Sequence, residues 1–244
     1  MKAFILAAGH GTRLRPLTDR MPKCLVPIAG TPMLQIWFDQ CIRSGITEIL
    51  INLHAHADQV GEFVARHAGD LDVKLFEEPE LLGSAGTLRA NREWLGKDPE
   101  FWVLYGDVLT NLNFPAMLVE HRTSGMLATL GTYHVADPRR CGIVTTNGNN
   151  RITAFVEKPR DPPGNMAFSG IMIASPAVCD AIPTAKPRPD IGLDLLPRLI
   201  GKMSAFPIRD YLIDIGTPAN YERAQSEWPE VTQATAQVIL PSPA

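Results

Sequence analysis

The sequence of 244 residues predicts one α/β domain with a mixed, mostly parallel central sheet that is flanked by helices. Through the first half, short apolar runs alternate with segments of helical periodicity, a rhythm typical of parallel strands joined by right-handed crossovers. After about residue 126, predicted strands follow one another with mainly turns between them. Hydrophobic residues make up 45% of the chain, which is enough for a sizeable buried core.

The first half contains four predicted strands, and the apolar runs that predict them are residues 3–7, 48–53, 73–76 and 101–105. Helical patterns fall between these strands, at residues 33–44, 58–67 and from 84 to about 94. Thr31 and Pro32 are typical of the cap and first residue of a helix, and Ser84 is a candidate cap for the third one.

The second half is predicted to add strands at residues 126–133, 142–145, 152–157, 167–174, 203–207 and 211–215. Helical segments are predicted at residues 176–181, 190–202 and 218–228, and Thr217 is the expected cap of the last of them. The domain is therefore predicted to span residues 1–228, followed by a polar, proline-containing tail at residues 229–244.

The composition argues against several classes of protein. A formal net charge of −3 is unlike a nucleic-acid binder, which usually carries a basic excess. The four cysteines form no C-x-x-C pair, so they are predicted to be reduced thiols of a cytoplasmic protein rather than zinc ligands. The short apolar N-terminus leads into a Gly/Arg loop, which favours a strand over a signal peptide, and no segment has the composition of a membrane span.

A Gly-rich loop follows the first predicted strand, at the end where open α/β sheets bind ligands. Gly9 and Gly11 would let backbone N–H groups turn toward phosphate oxygens, although two glycines alone equally suit a tight turn. The loop lacks the endings of a P-loop and of a dinucleotide fingerprint. Arg13, Arg15 and Lys23 add cations close by, so the combination predicts a phosphate clamp.

Three further segments carry candidate ligand contacts. Small residues at 83–87 would admit a base or ribose, or would form an ordinary loop before a helix. Asp107 ends a predicted strand, where its carboxylate suits Mg²⁺ and could equally cap a turn. Glu157 and Lys158 end a later strand, and such a pair is more often a surface ion pair than a binding site.

Five segments, taken in order, resemble the signatures of the sugar-1-phosphate nucleotidyltransferases. They are LAAGHGTRLRPLTDRMPKCLVPIAGTPML, LLGSAGT, YGDVLTN, FVEKP with FSGI, and YLIDIGTPANY. The resemblance implies a Rossmann-like (GT-A-like) domain that uses Mg²⁺ to join a nucleoside triphosphate and a sugar 1-phosphate into a nucleotide sugar, with release of pyrophosphate.

The resemblance also implies roles for individual residues. It implies nucleotide contacts from Ala8, Gly9, Gly11, Thr12, Arg13, Lys23, Glu78, Gly83, Ser84, Gly86 and Thr87. It implies sugar-phosphate contacts from Gly142, Glu157, Lys158, Ser169 and Gly170. Asp107 and Asp214 would bind Mg²⁺, and the catalytic cations would be Arg13, Lys23 and Lys158.

The choice of substrates is left open between related enzymes. LLGSAGT is similar to the loop of the guanylyltransferase branch, which favours GTP with mannose 1-phosphate or a related manno-sugar. The FSGI segment also occurs in short uridylyltransferases of the family, and a non-catalytic nucleotide-sugar-binding regulatory protein is a third option. A homo-oligomer is compatible with the sequence, and no appended β-helix domain is expected after Tyr221.

Overall fold

A computed structural model describes the strands and helices of residues 1–239. The strands are β1 (Lys2–Leu6), β2 (Pro27–Ile28), β3 (Thr31–Pro32), β4 (Glu48–Leu53), β5 (Asp72–Glu77), β6 (Phe101–Tyr105), β7 (Val108–Thr110), β8 (Ala128–His134), β9 (Gly142–Thr146), β10 (Ile152–Glu157), β11 (Met166–Ala174), β12 (Met203–Pro207) and β13 (Leu212–Asp214). The α-helices are α1 (Met33–Arg43), α2 (Ala57–His67), α3 (Ser84–Ala90), α4 (Phe114–Ser124) and α5 (Pro218–Ile239).

A nine-stranded mixed sheet forms the centre of the molecule. Its main path runs β10-β9-β11-β6-β1-β4-β5. Strand β8 also pairs with β11, and β12 pairs with β8. The strands of the first half, β6-β1-β4-β5, pair in parallel, whereas β11 runs antiparallel to β6, β8 and β9. The predicted change from a parallel half to a half joined by turns is confirmed, and so is the fold class.

Two hydrophobic cores lie on opposite faces of the sheet. Because successive side chains of a strand point to opposite faces, Ile5 faces the core that is covered by α1, α2, α4 and α5, while Phe4 faces the core that is covered by α3. Both side chains are fully buried, as expected for parallel strands with helices on both sides. Burial of each large apolar side chain stabilises the fold by about 1.5–3 kcal/mol.

Two predicted helix starts are wrong. Thr31 does not cap α1, because Thr31 and Pro32 form β3, which pairs with Pro27–Ile28, and the helix starts without a side-chain cap. Ser84 is the first residue of α3 rather than its cap. The cap predicted at Thr217 is confirmed, since its hydroxyl accepts a hydrogen bond from the backbone N–H of Asn220 at 3.3 Å.

One helix was absent from the sequence prediction, and another extends beyond it. Helix α4 buries Phe114, Met117 and His121 only, so its apolar stripe is too narrow to stand out in the sequence. Helix α5 was predicted to end at residue 228 but continues through Pro229 to residue 239. Residues 240–244 of the predicted tail lie outside the described residues.

Neither a membrane span nor a disulfide is found in the part of the chain that the structure describes. No helix within residues 1–239 combines the length and the hydrophobicity needed to cross a bilayer. The four cysteines are free thiols, and Cys24, Cys41 and Cys179 are buried.

Candidate active site

A cavity of about 500 Å³ opens at the carboxyl ends of the parallel strands. Its walls come from the loop after β1, the ends of β4 and β6, the loop before α3 and the turn after β13. The lining residues are Leu6, Ala7, Ala8, Gly9, His10, Gly11, Thr12, Arg13, Lys23, Cys24, Asn52, Glu78, Leu81, Gly83, Ser84, Tyr105, Gly106, Asp107 and Gly216. Nine of the eleven predicted nucleotide contacts therefore border one cavity, at the edge of the sheet where such folds bind ligands.

The loop after β1 folds back on itself at Gly11. This glycine has φ +63°, and a Cβ there would lie 2.9 Å from the Cγ2 of Thr18. The Thr18 hydroxyl donates a hydrogen bond to the Gly11 carbonyl at 2.8 Å, which holds the turn closed. At Gly9, by contrast, a Cβ would meet no described atom within 4 Å. Gly11 is thus required by the turn, while Gly9 leaves open space at the cavity wall.

Asp107 and Asp214 are brought together by the pairing of two short strands. Strand β13 runs antiparallel to β7, and this register places Asp214 opposite Val108. The pairing continues beyond the strand, where the backbone N–H of Ile215 donates to the Asp107 carbonyl at 3.0 Å. The two carboxylates predicted to bind a metal therefore meet at the cavity, although they are far apart in the sequence.

Two cations lie beside these carboxylates. The Lys23 ammonium forms an ion pair and hydrogen bond with the Asp107 carboxylate. A Cβ at Gly216 would lie 2.9 Å from Arg13 Nη2 and 2.9 Å from Lys23 Nζ, and 2.6 Å from an Asp214 carboxylate oxygen. Gly216 therefore marks the point where Arg13, Lys23 and Asp214 converge, and a larger side chain would displace them.

The pKa of Asp214 reflects this crowding. Burial raises the pKa of its carboxyl, and the neighbouring Asp107 raises it further. Lys23, the backbone N–H of Gly216 and Arg13 act in the opposite direction. The two carboxylates, Asp107 and Asp214, therefore repel each other, and Lys23 and Arg13 partly offset that repulsion.

The paired carboxylates fit a magnesium ion. Mg²⁺ is commonly held by one or two carboxylates together with substrate phosphates and water, rather than by a complete cage of protein ligands. Within the described residues, no group of three or more His, Cys, Asp or Glu side chains could hold a metal. Asp107 lines the cavity and the Asp214 carboxylate lies beside Gly216 of its lining, so the two could supply hard oxygen donors of the kind that such a site requires.

A buried hydrogen-bond network lies behind the cavity wall and includes Asn52, which the sequence analysis missed. The Asn52 side-chain carbonyl accepts from the Ala7 backbone N–H at 2.8 Å, and its amide donates to Glu78 at 3.0 Å. The Glu78 carboxylate also accepts from Thr87 Oγ at 2.5 Å and from the Leu82 N–H at 2.9 Å. Asn52 and Glu78, the latter only 2% exposed, thus connect the loop after β1 to the loop before α3.

Two predicted nucleotide contacts lie outside the cavity lining. Thr87 is fully buried and bonded to Glu78, so its hydroxyl supports the wall rather than facing the space in front of it. A Cβ at Gly86 would lie 3.1 Å from the Cβ of Leu82 and 3.4 Å from the ring of Pro189. Packing inside the protein therefore accounts for the small size of Gly86.

Two of the predicted sugar-phosphate contacts, Gly142 and Lys158, lie next to the Glu157 carboxylate. A Cβ at Gly142 would lie 2.6 Å from a Glu157 carboxylate oxygen, and one at Gly192 would lie 2.5 Å from the same oxygen. The Lys158 ammonium lies 3.3 Å from Glu157, and its side chain is 64% exposed. None of the five predicted sugar-phosphate contacts is among the residues that line the cavity of about 500 Å³.

The FSGI segment serves packing in this structure. The Ser169 side chain is buried, and its hydroxyl accepts from the Ile171 N–H at 3.2 Å inside β11. Gly170 has φ +81°, and a Cβ there would lie 2.9 Å from the ring of Tyr105. Gly170 thus allows the chain to pass close to an aromatic side chain that lines the cavity.

Tyr105 and Asp190 also escaped the sequence analysis. Burial raises the pKa of the Tyr105 phenol, and the nearby Asp190 carboxylate raises it further. Tyr105 directly precedes the Gly-Asp motif, which is a usable signal. Asp190 belongs to no motif, and only its position as the first residue of a predicted helical segment could have drawn attention to it.

The model of the nucleotidyl transferase family matches residues 2–230. This chain belongs to that family. It is 33% identical to the mannose-1-phosphate guanyltransferase of Schizosaccharomyces pombe over 229 residues, and 33% identical to the mannose-1-phosphate guanyltransferase beta-B of Xenopus laevis over 228 residues. In both cases the match covers 91% of this chain and 62% of the relative, so the chain spans less than two thirds of their length.

Solved structures share the fold. A crystal structure of HddC from Yersinia pseudotuberculosis, complexed with GMP-PN, is 26% identical with a TM-score of 0.78, covering 93% of this chain and 99% of that chain. A crystal structure of a putative glucose-1-phosphate thymidylyltransferase from Bacillus anthracis is 24% identical with a TM-score of 0.83. The match covers 93% of this chain and 94% of that chain.

Proposed function

We propose that this chain transfers a nucleotidyl group from a nucleoside triphosphate to a sugar 1-phosphate, forming a nucleotide sugar and pyrophosphate. The observation that carries the proposal is the meeting of Asp107 and Asp214 beside Arg13 and Lys23 at one cavity. A carboxylate pair that can hold a metal ion, with cations beside it, suits the binding of a nucleoside triphosphate together with a sugar phosphate. Membership of the nucleotidyl transferase family supports the same reaction class.

The proposed chemistry needs no protein nucleophile. An oxygen of the sugar phosphate attacks the α-phosphorus of the nucleotide, the bond to pyrophosphate breaks in line, and pyrophosphate leaves. Because the attacking phosphate is already ionised, no strong general base is required. Arg13 stabilises the departing pyrophosphate, and Lys23 and Lys158 hold the two phosphorylated ligands close despite their repulsion. The rate enhancement then comes mainly from positioning and charge neutralisation.

Mg²⁺ is the proposed cofactor, held by Asp107 and Asp214. When bound, it supplies charge neutralisation to the substrate phosphates. The ion pair between Lys23 and Asp107 supports this assignment, because it shows that this carboxylate is available to a positive charge at the cavity. In the complex, Lys23 is free to exchange that partner for a phosphate oxygen.

GTP and mannose 1-phosphate are the proposed substrates. The two relatives at 33% identity described above are mannose-1-phosphate guanyltransferases, which supports both choices. The HddC structure complexed with GMP-PN adds support for a guanine nucleotide.

A cytoplasmic location and a homo-oligomeric state remain predictions of the sequence. Light scattering after size exclusion would test the oligomeric state.

The test is a substrate panel scored by pyrophosphate release. GTP, UTP, dTTP, CTP and ATP are each paired with mannose, heptose, glucose and muramate-type 1-phosphates, with Mg²⁺ and with EDTA. The highest kcat/KM is expected for GTP with mannose 1-phosphate, and EDTA should abolish turnover. A preference for UTP would replace the substrate assignment. Tight binding of GDP-mannose without any pyrophosphate release from the panel would identify a regulatory protein instead.

A further inference from the structure

Residues 186–194, here called the strap, lie across the start of α3. The Pro189 carbonyl accepts hydrogen bonds from the backbone N–H groups of Ala85 at 3.1 Å and Gly86 at 3.2 Å. A Cβ at Gly83 would lie 2.6 Å from that same oxygen, and Gly83 has φ +80°. The strap therefore covers the helix start so closely that only glycine fits beneath it.

Asp190 fastens the strap to residues 83–87, here called the nucleotide loop. The Ser84 hydroxyl donates to a carboxylate oxygen of Asp190 at 2.8 Å and accepts from the Ile191 N–H at 2.8 Å. The other Asp190 oxygen accepts from the Leu193 N–H at 3.0 Å, capping the turn that follows. Ser84 lines the cavity, and its hydroxyl therefore joins the cavity wall to the strap through two hydrogen bonds.

The other end of the strap contacts the sugar side. A Cβ at Gly192 would lie 2.5 Å from a Glu157 carboxylate oxygen and 3.3 Å from an Asp190 carboxylate oxygen. Gly192 therefore packs against the Glu157 carboxylate, and Gly142 packs against the same carboxylate oxygen. Any shift of the strap along its length would move the Gly192 contact.

The strap is also fastened within itself. The Asp194 carboxylate accepts from the Asp190 backbone N–H at 2.7 Å and from the Lys186 ammonium at 2.7 Å. Arg188 and Glu80 form a further ion pair at 3.1 Å, but both side chains are exposed, so its contribution should be small. The Ser84–Asp190 bond is half-buried and charge-assisted, which makes it the stronger attachment to the nucleotide loop.

We infer that Asp190 is a positioning residue that holds the nucleotide loop and the Glu157 wall in register, so that one substitution weakens binding at both substrate sites. This inference rests on the proposed function. The inference depends on two contacts that lie two residues apart in the strap. Ser84 is hydrogen-bonded to Asp190, and Glu157 packs against Gly192.

The test compares Asp190→Asn, Ser84→Ala, the double variant and Glu80→Gln. Asn can still cap the turn through its side-chain carbonyl, but it offers the Ser84 hydroxyl no carboxylate. We expect about a tenfold rise both in the Kd for GTP, by calorimetry, and in the KM for mannose 1-phosphate, with kcat within about threefold of the wild type. The double variant should be no worse than the worse single variant, because both remove the same bond.

Glu80→Gln is the matched control, since it breaks the exposed ion pair of the same strap; its constants should stay within about twofold of the wild type. The inference is overturned if the wild type is active and Asp190→Asn changes neither the Kd for GTP nor the KM for mannose 1-phosphate, or changes only one of them. The proposed function would then still stand. Additive effects in the double variant would overturn the inference too. A wild type that releases no pyrophosphate would remove the proposed function and this inference together.

Discussion

The nucleotide side and the sugar side of the site are built differently. On the nucleotide side, Asn52 and Glu78 are 5% and 2% exposed, and their side chains are bonded to both loops that border the cavity. On the sugar side, the Lys158 side chain is 64% exposed and contacts the adjacent Glu157. One wall is held by a buried hydrogen-bond network before any ligand arrives, while the other presents an exposed cation at the surface.

This difference separates two ways of preparing a binding site. A carboxylate such as Glu78 would be costly to bury without partners, so its network must be complete for the domain to fold. An exposed lysine carries no such constraint, and its position becomes defined only when a phosphate binds. Substitutions on the nucleotide side should therefore affect folding and binding together, whereas those at Lys158 should affect binding alone.

Removal of one central carboxylate should have the largest effect. Asp107→Asn is expected to lower the rate of pyrophosphate release by about a hundredfold or more, because it removes one of two oxygen donors proposed to bind Mg²⁺. Steady-state rates measured across a range of Mg²⁺ concentrations give the comparison, with thermal unfolding as the control for folding. Wild-type turnover by a folded Asp107→Asn variant would contradict the metal assignment.

Lys158→Ala should have the next largest effect and should be confined to the sugar side. Loss of a charge-assisted contact is expected to raise the KM for the sugar 1-phosphate by about tenfold or more. The free energy of unfolding should change by less than about 0.5 kcal/mol, because the side chain is exposed. An equal loss of nucleotide affinity, measured by calorimetry, would break the proposed division between the two sides.

Asn52→Ala is expected to lower the free energy of unfolding by about 1–3 kcal/mol, because it leaves the Ala7 N–H and part of the Glu78 carboxylate without partners. Urea unfolding measures the change, and a weaker Kd for the nucleotide should accompany it. Asn149→Ala, at an exposed turn residue, serves as the matched control. Unchanged stability together with unchanged nucleotide affinity would show that the network is dispensable.

The smallest effect concerns the reactivity of the cysteines. Burial raises the pKa of the Cys24 thiol to about 12 and that of Cys41 to about 12, so both should be almost entirely protonated and shielded at neutral pH. Cys141 lies on the sugar side, near Asp214 and Glu157, and is only half-buried. Peptide mapping after iodoacetamide treatment at pH 8 should find Cys141 alkylated first. Faster alkylation of Cys24 would indicate that the nucleotide wall opens in solution.

Local patterns predicted most of the regular structure. Strands β4, β6, β10 and β12 have the predicted bounds, because each is an apolar or alternating run of suitable length. Helix α4 was missed, since only a few of its side chains are buried. The cap at Thr31 was wrong because a local signal for a helix start was overridden by pairing with Pro27–Ile28.

The candidate site was predicted in part. Nine of the eleven proposed nucleotide contacts border the cavity, and the two aspartates meet there, but their roles in binding and catalysis stay predictions. Gly86, Thr87 and Ser169 were singled out for ligand contact, yet their neighbours in the structure are protein atoms. Small or polar residues near a site can serve either purpose, and the sequence does not separate the two.

By itself, the sequence determined the features that depend on near neighbours: the alternation of strands and helices, the turn at Gly11, and the cations carried by the loop after β1. Only the tertiary structure decided which distant residues meet. The pairing of β13 with β7 sets Asp214 beside Asp107, and the strap brings Asp190 to Ser84, 106 positions away. Such contacts arise from the path of the chain over the sheet, and they leave no periodicity or spacing in the residues on either side.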